Sequence, residues 1–106
     1  MAWVYLVAAG ILEIVWAYAM KQSHGFTRLM PSAVTAVAMI GSVWLLALAM
    51  RTLPLGTAYT IWTGIGAVGA FVVGILFLGE LVSAMRITAC VLIVSGLVLM
   101  KLSTSA

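Results

Sequence analysis

Four apolar runs, 2–20, 29–50, 53–79 and 84–101, take up nearly the whole of this 106-residue chain, and only short segments separate them. A helix rises ~1.5 Å per residue, so about 20 apolar residues cover the ~30 Å hydrocarbon layer of a bilayer. Each run is close to that length, the fourth being the shortest and able to recruit flanking residues such as Leu102. Strands of a membrane barrel would be about half as long and alternate in polarity. The fold class that follows is all-α, an integral membrane protein with four transmembrane helices per subunit.

Composition closes the alternative of a soluble bundle. Apolar residues make up 66% of the chain and charged residues 7%, with a mean hydropathy of +1.32. A soluble fold of this length leaves too much surface in water for so few polar side chains. No Pro/Ser-rich or charge-rich stretch reads as a linker, so residues 1–106 are expected to form a single membrane domain. Ala17-Tyr18-Ala19 has the small-x-small form of a signal-peptide cleavage site. However, no Lys or Arg precedes the first run and Glu13 interrupts it, so a span is expected there.

The formal net charge of +3 does not point to nucleic acid, because Lys21, Arg28, Arg51, Arg86 and Lys101 are scattered at the ends of the apolar runs. Cys90 is the only cysteine, which rules out an intrachain disulfide. His24 lies in a polar turn with no second His or Cys near it, so no metal site and no cofactor is expected. An even number of spans puts both termini on one side together with Arg51. Arg51 and Lys101 then stand against Lys21, Arg28 and Arg86, two basic residues against three. So fine a balance sets orientation weakly, and insertion both ways round is expected.

Glu13 lies ~16–18 Å along a helix that starts near Ala2, close to the bilayer midplane. An ionisable group at that depth is costly and marks a functional site. The spans supply no basic partner, so the neutralising cation must come from outside, as a proton or as a substrate. Glu80, at a helix end, reads as a solvated turn carboxylate.

Helical spacing indicates what stands around Glu13. Leu6, Gly10, Glu13, Ala17 and Met20 form one stripe, with Trp16 three residues beyond Glu13; Tyr59 and Trp62 share a face with Gly66 on the third span. Aromatic rings beside a carboxylate suit an organic cation. Ser42, halfway along the second span, is at a depth where its hydroxyl can reach the Glu13 carboxylate, although such a serine can also bond its own helix backbone. Gly64 and Gly66 weaken the third helix just after Trp62, a place for a bend, and Gly66, Ala70 and Gly74 form a small-xxx-small stripe. Ala89, Ile93 and Gly96 share a face of the fourth span, a packing seam for a second subunit. Four such helices cannot both enclose and cover a substrate path, so a homodimer is expected.

Gly10-Ile11-Leu12-Glu13-Ile14-Val15-Trp16-Ala17, then Gly25-Phe26-Thr27-Arg28-Leu29-Met30-Pro31-Ser32, then Leu53-Pro54-Leu55-Gly56-Thr57-Ala58-Tyr59 running into Ile61-Trp62-Thr63-Gly64-Ile65-Gly66, resemble the small multidrug resistance family. The match covers essentially the whole chain. Trp16 and Trp62-Thr63-Gly64 resemble its guanidinium exporter subtype. The resemblance implies an antiparallel homodimer of dual-topology subunits in the bacterial plasma (inner) membrane, exporting a small organic cation against protons. It implies Glu13 as the shared proton and substrate site, Ser42 and Trp16 as its hydrogen-bonding neighbours, and Tyr59 and Trp62 as flanking aromatics. Leu81 stands where many relatives have proline. An exporter of hydrophobic quaternary ammonium ions and, from another class, a small dual-topology ion channel are the alternatives.

Overall fold

The computed structural model describes residues 1–103. In chain order the helices are α1 (Ala2–Gln22), α2 (Leu29–Ala49), α3 (Leu55–Leu78) and α4 (Ala84–Ser103). At 21, 21, 24 and 20 residues, all four are long and apolar enough to cross a membrane.

The helix bounds follow from local chemistry. α3 begins at Leu55, two residues later than the apolar run, because Pro54 sits at φ −61° and ψ 150° as its N-cap. Proline pre-sets that φ and donates no hydrogen bond, so the helix starts after it. Leu53 stays outside the helix yet is buried in the core. α3 stops at Gly79, whose φ of 68° is left-handed, and the Glu80 amide returns to the Gly74 carbonyl at 3.1 Å. Between α1 and α2 the buried Ser23 organises the turn. Its hydroxyl donates to the Met20 carbonyl at 2.6 Å and accepts from the Phe26 amide at 3.0 Å.

α1 is the centre of the subunit and packs against both α2 and α3, whereas α4 packs mainly on α3, with Lys101 also standing over the Trp3 ring of α1, and has no buried residue. Leu6, Ala9, Leu46, Ala49, Leu53, Ala58 and Ile61 form the core, at the end of the molecule where α1 and α3 begin and α2 ends. Elsewhere large apolar side chains face outward, among them Ile40, Trp44, Leu76 and Leu92. Such a surface is excluded from water and suits lipid tails or another subunit. The molecule measures 43 × 34 × 16 Å, so it is a slab about one to two helices thick.

Candidate substrate and proton site

The α1–α3 seam is built on glycine. A Cβ added at Gly10 would meet the Ile65 side chain at 2.6 Å, one at Gly69 would overlap Ile14, and one at Gly66 would overlap the carboxyl group of Glu13. The missing side chains let the two backbones approach and leave a slot for the carboxylate. Gly66 therefore does more than share a face with Tyr59 and Trp62, because it forms the floor under Glu13. α3 runs as one continuous helix through Gly64 and Gly66. Gly64 admits the side chain of Leu97 from α4, so both glycines also act in close packing.

Glu13 is half-buried, and its Oε1 is fully enclosed without a hydrogen-bond partner among the described residues; the same holds for Nε1 of Trp16. A buried polar atom left unpaired costs about 1–3 kcal/mol. An acceptor and a donor, three residues apart on one helix, are thus left for a ligand or a proton to satisfy. Among the described residues, no ion pair reaches Glu13 and no group of three or more His, Cys, Asp or Glu side chains could hold a metal.

Ser42 is fully buried but does not bond Glu13. Its hydroxyl donates to the Ala9 carbonyl on α1 at 2.6 Å and accepts from Nε1 of Trp62 on α3 at 2.9 Å. The single hydroxyl proton is committed to a backbone oxygen, which corrects the expectation that Ser42 is a direct partner of the carboxylate. Nor does it bond its own helix. A chain from Trp62 through Ser42 to Ala9 instead ties α3, α2 and α1 together. Ala9 is four residues before Glu13 and Trp62 four before Gly66, so this knot lies one helical turn from the carboxylate on both helices. Trp62 in turn meets Tyr59, with ring centroids 5.5 Å apart at 55°.

Tyr59 is half-exposed and lines a groove of about 510 Å³ between α3 and α4, together with Thr63, Ile93 and Gly96. Ala89 and Ile93 line a smaller one of about 200 Å³. All three α4 residues of the expected seam are exposed, and a Cβ at Gly96 would meet nothing within 4 Å. The structure thus brings together Glu13 with Gly66, and Ser42 with Trp62 and Tyr59. Ile93 and Gly96 on the outer helix share the groove with Tyr59, and Ala89, Ile93 and Gly96 lie away from Glu13. A further apolar hollow, of about 460 Å³, lies between α1, α2 and α3 near Tyr18, Pro31 and Phe77, and Glu13 does not line it.

Nothing in the sequence singles out the Ala9 carbonyl, since every residue supplies one. Glu80 is more than the solvated turn carboxylate expected from its place at a helix end. Glu80 pairs with Arg86 at 3.5 Å and folds back over Gly74, where an added Cβ would meet its carboxyl at 2.5 Å.

A model of the family described as Small Multidrug Resistance protein matches residues 1–93. The chain belongs to the small multidrug resistance family. Relatives from Citrobacter freundii and Salmonella typhimurium are each 58% identical over 104 residues, covering 98% of this chain and 99% of theirs. One from Escherichia coli (strain K12) is 57% identical over the same share. Each of these relatives is named Guanidinium exporter. Such names describe export across a membrane and not enzymatic catalysis, and with the four apolar helices they make this small multidrug resistance protein a multi-pass bacterial membrane protein.

Proposed function

We propose that the chain is a proton-coupled antiporter that exports guanidinium or small substituted guanidinium cations across the bacterial inner membrane. The observation that carries the proposal is the carboxyl of Glu13, seated on Gly66 with a buried, unpartnered oxygen and no basic side chain to neutralise it. Such a carboxylate can be neutralised by a proton or by an organic cation, but one group cannot hold both. A guanidinium ion presents a planar edge of N–H donors that pairs with a carboxylate in bidentate fashion. The relatives named Guanidinium exporter, nearly identical in length, support the same substrate class.

In this mechanism Glu13 alternates between the two cations. A substrate entering from the cytoplasm displaces the proton, the loaded carrier reorients, and protons from the other side displace the substrate. Trp16, one turn away, offers an N–H and an aromatic face to whatever occupies the site. Ser42, Trp62 and Tyr59 position the walls around it. Two subunits in opposite orientation would place two Glu13 side chains on one pathway. The flat shape of the subunit and the exposed α4 face, with Ala89, Ile93 and Gly96, support such an antiparallel homodimer.

The test is transport by the purified chain in liposomes, with guanidinium and a tetraalkylammonium ion measured side by side. A quaternary ammonium ion has no N–H to donate, so saturable guanidinium transport with little or no quaternary ammonium transport is expected. The opposite preference would replace the substrate class, and non-saturable flux independent of protons would indicate a channel.

A further inference from the structure

At the start of α4 a guanidinium group, that of Arg86, is already in place against the turn that joins it to α3. The Arg86 side chain lies 3.5 Å from the Glu80 carboxylate, donates from Nη1 to the Leu81 carbonyl at 2.9 Å, and stands over the Phe71 ring at 5.3 Å from its centroid. A carboxylate, a carbonyl oxygen and an aromatic face are the three partners that a planar, delocalised cation with N–H donors on its edge requires. The local backbone makes room for that arrangement. Gly74 lacks the side chain that would push the carboxylate away, and the amide of Glu80 is tied to the Gly74 carbonyl. Glu80 lines a cavity of about 130 Å³ with Ile14, Ala17 and Ala70, the residues that flank or follow Glu13 and Gly66 along the α1–α3 seam, whereas Phe71 and Arg86 line a separate one of about 200 Å³, and the ion pair links the two. Lys21 lines the Glu80 cavity as a competing cation.

We propose that Glu80, the Leu81 carbonyl and Phe71 form an outer subsite for guanidinium-type cations, which Arg86 occupies until a substrate takes its place. The subsite is at a helix end, where a span meets the aqueous phase, and so can capture a cation that Glu13 then receives deeper in the seam. Arg86 and Glu80 are 44% and 41% exposed, so the resident pair is screened and weakly held, and exchange with a free cation of the same chemistry is feasible. The functional part of the proposal rests on guanidinium being the substrate, but the existence of the subsite does not.

The experiment is chemical rescue of binding. Glu13→Gln removes the inner site, and Arg86→Ala in that background empties the outer one. Guanidinium titrated into the double variant, reconstituted as a full-length dimer, should bind saturably, at least tenfold more tightly than to Glu13→Gln alone. Adding Glu80→Gln should abolish that binding, while Lys21→Ala should leave or strengthen it. Arg86→Lys serves where the alanine variant does not fold; it keeps the charge but loses the fork, so guanidinium should compete with it better than with Arg86. Absence of saturable binding in both Arg86 variants, or binding indifferent to Glu80→Gln, would overturn the subsite. Rescue without guanidinium transport by the unaltered protein would keep the subsite and refute the substrate assignment.

Discussion

Gly66→Ala places a methyl group where the Glu13 carboxyl now lies. In an open stretch of helix the same change stabilises by up to about 1 kcal/mol, because alanine loses less backbone freedom than glycine. Forcing extra volume into a packed interior costs about 1–3 kcal/mol. At Gly66 the obstructing atoms are the far end of a flexible side chain, so the cheaper response is rotation of Glu13 out of its slot and not separation of the helices. The expected outcome is a protein that still inserts and dimerises, with stability within about 1 kcal/mol of the parent, but with guanidinium affinity reduced about tenfold or more, a loss of about 1.4 kcal/mol. Gly56→Ala is the control, since an added Cβ meets nothing within 4 Å there. Binding is read by calorimetry and stability by thermal unfolding in detergent, both on the purified variants. Parental affinity in Gly66→Ala would show that the slot does not position the carboxylate, and a collapse of stability would show that the helices, not Glu13, take up the strain.

Ser42→Ala removes the middle of the chain from Trp62 to Ala9 and should destabilise by about 0.5–2 kcal/mol, the range for interhelical hydrogen bonds in membranes, with altered Trp62 fluorescence. Guanidinium binding should weaken as pH falls, because protons and substrate compete for Glu13; with two copies facing each other the titration should be broad. If two protons leave for each cation bound, substrate-evoked currents in proteoliposomes should respond to membrane potential. A C-terminal reporter should be found on both sides of the membrane, and two or three added lysines in one connection should fix a single orientation.

The helices were legible in the sequence because a bilayer imposes length and polarity on every span, and the chain obeys both almost everywhere. The exceptions are local. Leu53 was counted into the third span by its apolarity, whereas Pro54 next to it decides where the helix starts. Glu13 stands out in the sequence for the reason that makes it costly, its expected depth. Its surroundings are only partly legible. Spacing on one helix puts Tyr59 beside Trp62, as the ring contact shows, but which atoms bond across helices depends on their rotation and depth. Ser42 was therefore assigned to the carboxylate when a backbone carbonyl takes its proton. Gly64 and Gly66 suggest flexibility from sequence, but the neighbour pressed against each comes from another helix and leaves no mark in the pattern of α3. The Glu80–Arg86 pair escaped because residues six apart across a turn follow no helical periodicity.

The central claim is that one buried carboxylate serves both protons and substrate. It is tested most directly by reconstituting the purified protein and Glu13→Gln in liposomes that contain a pH-sensitive dye, then imposing a guanidinium gradient with no initial pH difference. The unaltered protein should carry guanidinium down its gradient and move protons the opposite way, so the lumen changes pH in step with uptake. Glu13→Gln, with an amide that neither exchanges a proton nor neutralises a cation, should do neither while remaining a folded dimer. Guanidinium movement without a pH change, or proton-coupled uptake that survives in Glu13→Gln, would contradict the account.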